Sequence, residues 1–241
     1  MRGGQTRVQD EPAIILLSGG LDSVTALAWA QAEGYAIRAA LSFHYGQRHA
    51  RELQAAAAIA AHYGVPQQVV ELAPIRGSRL TGDGAIPQGR DLAGLTETVA
   101  PTYVPNRNMI LLAYAAAHAL LGDATQLIGG WNAADGANYP DCRGEFLRAT
   151  ETALRLATLR DFTIVRPLIR DGKATIVRRA LALDAPIPLT WTCYVGAAPA
   201  CGRCDACQLR LDAFRQVGVR DPIPYAVDLD WTGCRPYAET G

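Results

Sequence analysis

The run AIILLSGGLDS, residues 13–23, limits what this chain can fold into more than any other stretch. Ala13–Leu17 reads as a short buried strand, and Asp22–Ala32 as a helix with Asp22 and Ser23 in its first turn. Between them, Gly19 and Gly20 put no side chain in the way of an approaching oxyanion. The first N–H groups of a helix lack intrahelical partners and carry the positive end of its dipole, so such a junction attracts an anion. Ser18 and Ser23 add hydroxyl donors, and Asp22 can hold Mg²⁺ beside a phosphate. A Walker loop would place a lysine after its last glycine, and none stands here. The plain alternative is an ordinary strand-to-helix turn. SGGLDS directly behind an apolar strand favours the phosphate cradle.

The alternation continues downstream. Tyr35–Phe43 predicts a second strand, RELQAAAAIAAHYG a helix ending before Gly64, and Gln67–Leu72 a third strand. Residues 106–121 predict an apolar helix, QLIGG a strand, 145–158 a helix, and Lys173–Leu183 another. Such an order implies a doubly wound α/β fold, a parallel sheet with helices on both faces. Two stretches break the rhythm and read as irregular: 74–105, rich in Gly, Pro, Arg and Asp, and WNAADGANYPDCRG, 131–144. A loop as long as the first inside a compact domain is usually functional or mobile. The expected organisation is a polar tail over 1–12, a main domain over 13–189 and a small cysteine-bearing region over 190–241.

With 241 residues, the chain can bury roughly three-quarters of its unfolded surface. Its 49% hydrophobic and 19% charged residues describe a soluble globular protein. The formal net charge is zero. A sequence-independent grip on nucleic acid needs a positive field, so no direct nucleic-acid partner is expected. No segment approaches the ~18 apolar residues of a membrane span, and the first dozen residues lack the apolar core of a signal peptide. The expected location is cytoplasmic, with no membrane contact. There thiols stay reduced, so clustered cysteines suggest a metal before a disulfide.

Cys193, Cys201, Cys204 and Cys207 follow a C-x7-C-x2-C-x2-C spacing. Four thiolates suit tetrahedral Zn²⁺, and successive x2 gaps let neighbouring ligands wrap one ion. An iron–sulfur cluster also takes four cysteines. A redox dithiol needs fewer, and a nucleic-acid knuckle would want more basic and aromatic neighbours than Arg203 and Arg210. One structural zinc is the favoured reading, since a closed four-sulfur site leaves no position for water.

The string SGGLDS resembles the pyrophosphate (PP) loop of the N-type ATP pyrophosphatases, an adenine-nucleotide hydrolase-like fold. With YGQRH (45–49), VPNRN (104–108), YPDCR (139–143), the lysine of DGKATI and TCY…CGRCDAC, the chain resembles more closely the 7-cyano-7-deazaguanine synthase family of the queuosine-precursor pathway. The resemblance runs from about Ala13 to Arg210. It implies an ATP-dependent C–N ligase that makes the nitrile from 7-carboxy-7-deazaguanine and ammonia through adenylated intermediates. Leu17, Ser18, Gly19, Gly20, Leu21, Asp22, Ser23, Val24 and Thr25 would bind ATP with Mg²⁺, Asp22, Lys173 and Arg107 would serve catalysis, and Asp135, Asp141 and Arg143 would bind the substrate.

Lys173 stands out on its own, being the sole lysine beside 22 arginines. A solvated charge is the usual reading of a lysine at a helix start, but a compact ammonium is not replaceable by a forked guanidinium everywhere. His44 and His49 follow the second strand, where the adenine end of ATP could lie. Cys142 is a structural thiol or a nucleophile, and Cys234 has no evident partner. Asn106 and Asn138 stand where the family often has glycine, and asparagine tolerates positive φ better than most residues. Those departures leave open a paralogue acting on another deazapurine. A tRNA sulfur-transfer enzyme with the same loop is a further alternative, disfavoured by the neutral charge. A homodimer is expected from the resemblance alone.

Overall fold

The computed structural model describes residues 11–47, 51–82, 84–90 and 99–238; His49 and most of the polar tail lie outside them. The chain runs β1 (Pro12–Leu16), α1 (Leu21–Ala32), β2 (Ala36–His44), α2 (Arg51–His62), β3 (Gln67–Glu71), α3 (Arg107–Leu121), β4 (Gln126–Ile128), α4 (Ala133–Asn138), α5 (Gly144–Thr158), β5 (Thr163–Val165), α6 (Lys173–Ala182) and α7 (Asp205–Val217). The five strands form one sheet in the order β3-β2-β1-β4-β5, and every neighbouring pair is parallel.

Side chains alternate across the sheet as a period of two requires. Ala13, Ile15 and Leu17 pack on one face with α1, α2, α6 and α7. Ile14 packs on the other with Leu112 of α3 and Leu147 and Leu154 of α5. This is the doubly wound arrangement the sequence predicts. The core also continues past residue 190: Ala213 and Phe214 of α7 join the first of these clusters, and Phe214 is fully buried. Ile86, Trp191, Ala200, Ile223 and three of the four cysteines form a smaller cluster beside it. No helix among the described residues is long and apolar enough to cross a membrane.

The stretch 131–144, read from sequence as irregular, contains α4 and a 3-10 turn at Pro140–Cys142. Asn132 caps α4: its side-chain oxygen accepts the Asp135 N–H at 3.0 Å while its Nδ2 donates to Asp135 Oδ2 at 2.7 Å. That reciprocal N-x-x-D cap starts a helix of six residues, too short for an apolar period to register. Asn106, with φ +58°, occupies the left-handed conformation asparagine tolerates. Asn138 does not: it ends α4 with negative φ.

Candidate active site

The chain winds outward from β1 through β2 to β3, then returns to lay β4 on the free side of β1. In an open α/β sheet, ligands bind outside the carboxyl ends of the strands where that reversal falls. A cavity of about 280 Å³ opens there. Leu17, Ser18, Gly20, Leu21, Asp22 and Ser23 line it from the β1–α1 junction, and Gly129, Gly130 and Trp131 from the end of β4.

Both junctions depend on glycine for close approach. Gly19 has φ +85°, and a Cβ there would sit 2.3 Å from the Glu52 carbonyl oxygen and 2.7 Å from Ala56 N. A Cβ on Gly130 would sit 2.7 Å from the Asp22 backbone, so β4 ends flush against the first turn of α1. Gly20 is different: its Cβ would meet only ordinary contacts, at 3.5 and 3.6 Å. Its openness is toward the cavity. Ser18 Oγ accepts the Gly20 N–H at 3.3 Å and donates to Ser23 Oγ at 3.1 Å, and Ser23 donates to the Gly20 carbonyl at 3.0 Å. The Trp191 N–H ties the loop to the C-terminal region by donating to the Gly19 carbonyl at 2.9 Å. Gly19, Val24 and Thr25 do not face the cavity; Thr25 is fully buried and donates to the Leu21 carbonyl.

Lys173 opens α6, and Arg107 opens α3. A cation in the first turn opposes the helix dipole, at a cost of about 0.3–1 kcal/mol. Neither position serves its own helix, and both side chains line the cavity. Lys173 Nζ donates to Asp22 Oδ2 at 2.8 Å and to Asp135 Oδ1 at 2.9 Å. Burial opposes the Lys173 charge, but the two carboxylates outweigh it and hold the ammonium well above the usual lysine range. Burial raises the Asp22 pKa against the pull of Lys173, with Asp135 adding to the rise. Arg107 Nη1 donates to the Tyr45 hydroxyl at 3.0 Å, and its guanidinium lies over the Tyr45 ring.

The substrate residues named from sequence separate. Asp135 lines the cavity, with one oxygen bonded to Lys173 and the other to Asn132. Asp141 and Arg143 stand apart from the cavity wall. The buried Asp141 accepts the Asn108 backbone N–H at 2.9 Å and so caps the start of α3. Arg143 is exposed and donates to the Gly136 carbonyl at 3.0 Å. The turn at Pro140–Cys142 sends Asp141 inward to the start of α3 and leaves Arg143 at the surface against the Gly136 carbonyl, which the motif alone does not reveal. His44 also faces away, toward Glu71 at 2.5 Å on the neighbouring strand.

The cavity includes residues the sequence reading did not assign. Glu52, in the first turn of α2, lines it, and burial pushes its carboxyl up to about 7 against the pull of Arg107, with Cys193 adding. Asn108 accepts from Trp131 Nε1 at 3.1 Å and donates to Cys142 Sγ at 3.3 Å. Burial, with Asp135 adding, pushes the Cys142 thiol well up, which disfavours its thiolate form. Arg210 is almost fully buried; its Nε and Nη2 fork onto Asp221 at 2.6 and 2.9 Å and its Nη1 reaches Thr190.

The sulfurs of Cys193, Cys201, Cys204 and Cys207 all lie within 4.8 Å of one another. Sulfurs around a tetrahedral Zn²⁺ at about 2.3 Å stand about 3.8 Å apart, so the cluster fits one ion with small adjustment. Backbone N–H groups of Arg203 and Cys204 point at Cys201 Sγ at 3.4 and 3.3 Å, and that of Cys201 at Cys193 Sγ at 3.3 Å. Donors aimed at sulfur favour the thiolate form a metal requires.

An all-parallel sheet with a glycine loop at its switch point, faced by an aspartate–lysine pair, defines the class of open α/β folds built to hold a phosphate-bearing ligand at the carboxyl ends of their strands. Within that class the chain belongs to the family described as queuosine biosynthesis protein QueC, whose model matches residues 12–218. It is 44% identical to 7-cyano-7-deazaguanine synthase of Thermoplasma acidophilum, covering 90% of this chain and 93% of the relative. It is 45% identical to the synthase of Thermosynechococcus vestitus, covering 91% and 98%. The synthase of Paramagnetospirillum magneticum is 44% identical, covering 90% and 99%.

Proposed function

We propose that this protein converts 7-carboxy-7-deazaguanine and ammonia to 7-cyano-7-deazaguanine at the expense of ATP, in queuosine or other 7-deazapurine biosynthesis. The observation that carries this reading is the meeting of the SGGLDS loop with Lys173 and Asp135 at the sheet's switch point, in a chain of this family. The β,γ-diphosphate of ATP would sit against Gly20, where no side chain intrudes, and on the amides of the first turn of α1. The substrate carboxylate attacks the α-phosphorus and pyrophosphate leaves. Charge accumulating on the leaving group meets the helix start and Lys173, which are fixed before the reaction begins.

Ammonia then displaces AMP from the acyl adenylate to give the amide. A second ATP activates the amide oxygen, and loss of that oxygen as AMP leaves the nitrile. Both steps expel an inert oxygen as a nucleotide ester, so one loop serves both. Asp22 spends one oxygen on Lys173, and its other is suited to Mg²⁺ travelling with ATP. Asp135 orients Lys173. The four cysteines suit one structural Zn²⁺, which would supply cross-linking and no chemistry. A homodimer is part of this reading, on the resemblance alone.

The test incubates pure protein with Mg²⁺-ATP, ammonium and the carboxylate, and follows AMP, pyrophosphate and nitrile by mass. Two AMP per nitrile are expected. Asp22→Ala should abolish turnover with metal content unchanged; full activity in that variant sinks the loop assignment. Metal analysis that finds iron and sulfide in place of zinc overturns the metal assignment.

A further inference from the structure

The cysteine knuckle touches the cavity through one wall. Gln88 pairs with Cys204 in an isolated antiparallel bridge, and the Gly89 N–H donates to the Arg203 carbonyl at 2.9 Å. Arg90 then forks onto Asp205, with Nε on Oδ1 at 3.1 Å and Nη2 on Oδ2. Asp205 directly follows Cys204 and opens α7. Ile86 packs in the same apolar cluster as Trp191, Cys193, Cys204 and Cys207. Three successive residues of the irregular 74–105 segment are thus fastened to three successive residues of the metal knuckle. Arg90 and Asp205 both line the cavity, as do Leu80 and Ala100 from the same segment.

We propose that the metal-loaded knuckle anchors this wall of the cavity through the Arg90–Asp205 pair, so that metal occupancy sets the affinity for the bicyclic substrate. The physical link is short. Cys204 is at once a sulfur ligand, the partner of Gln88 and the residue before Asp205. A cation drawing the four sulfurs together fixes the Cys204 main chain, and with it the direction of the Asp205 carboxylate. A planar guanidinium forked on a carboxylate transmits that direction, because both hydrogen bonds must align together. Without the cation, Cys204 is left with its N–H contact to Cys201 Sγ at 3.3 Å and its apolar packing, a weaker hold on its main chain, and the 84–90 segment loses the firm part of its post. Arg90 and Asp205 are positioning residues in this account. The substrate part rests on the function proposed above; the structural part does not.

The experiment is hydrogen exchange on the full chain, metal-loaded and chelator-stripped, together with the variants Arg90→Gln and Arg90→Lys. In Arg90→Gln, amides of 84–90 should exchange about tenfold faster, with β1 amides and metal content as in the wild type. The KM for the carboxylate should rise about tenfold, with KM for ATP unchanged and kcat within about twofold. Arg90→Lys, which keeps charge but loses the fork, should fall between the two. Stripped wild type should show the same local exchange pattern. Unchanged exchange at 84–90 in Arg90→Gln overturns the proposal. So does a stripped protein whose β1 amides open along with 84–90, since the metal would then hold the whole fold. If the wild type turns over no carboxylate, the proposed function fails while the exchange arms still decide the anchor.

Discussion

Gly19 and Gly20 look equivalent in the sequence, yet the structure asks different things of them. Gly19 needs both a positive φ and the space in which a Cβ would strike the Glu52 carbonyl. Gly19→Ala should lower stability by at least about 2 kcal/mol, from left-handed strain plus displacement of α2, measurable by urea denaturation. Gly20→Ala should fold with wild-type Tm and lose nucleotide affinity, because its methyl enters the space that the proposed function gives to phosphate; calorimetric titration with ATP separates the cases. Glu52 makes a pH prediction. Its carboxyl is raised to about 7 by burial, with Arg107 opposing and Cys193 adding, so the folded state disfavours its ionised form. A raised carboxyl pKa means the native state binds the proton more tightly than the unfolded chain, so its cost is full above pH 7 and relieved as pH falls toward 4.5. Glu52→Gln should therefore raise Tm by about 2–4 °C at pH 8 and leave it unchanged near pH 4.5. A Tm difference independent of pH would refute that origin.

Among the elements, α7 shows what a motif hides. The sequence marks its start with Cys204 and Cys207, but its other face is a core face. Phe214 is fully buried against the sheet-side cluster, and Arg210 is held by Asp221, which also accepts from the Tyr225 hydroxyl at 2.7 Å. Phe214→Ala should cost about 3–5 kcal/mol by leaving a cavity. Asp221→Ala should cost a similar ~3–5 kcal/mol by stranding a buried guanidinium. Both are read from denaturation midpoints with the metal bound; a loss below ~1 kcal/mol in either would mean that α7 is held by the cysteines alone. The helices α3 and α6 were legible because long apolar periods announce them, and α4 was not, because a six-residue helix is set by its cap. Lys173 was legible as the sole lysine of the chain; that it and Arg107 each stand against their own helix dipole emerges from the helix bounds.

At the scale of the whole molecule, equal numbers of acidic and basic residues leave no net charge to draw in a polyanion. Adding tRNA should leave ATP turnover unchanged; tRNA-dependent AMP release would point to the sulfur-transfer alternative instead. The sequence by itself determined the alternation of strands and helices, the glycine loop at the first strand–helix junction and the four cysteines, because each depends on residues close together in the chain and on a local rule. What only the tertiary structure decided is which distant residues meet. The return of β4 to the side of β1 brings Asp135 and Lys173 to Asp22, across separations of 113 and 151 residues that no local period records. The same packing turns Asp141 into a helix cap and Arg143 to the exterior, although their motif reads as well as any other. Side-chain direction is set by the packing of elements, and a motif gives only the order of residues along the chain.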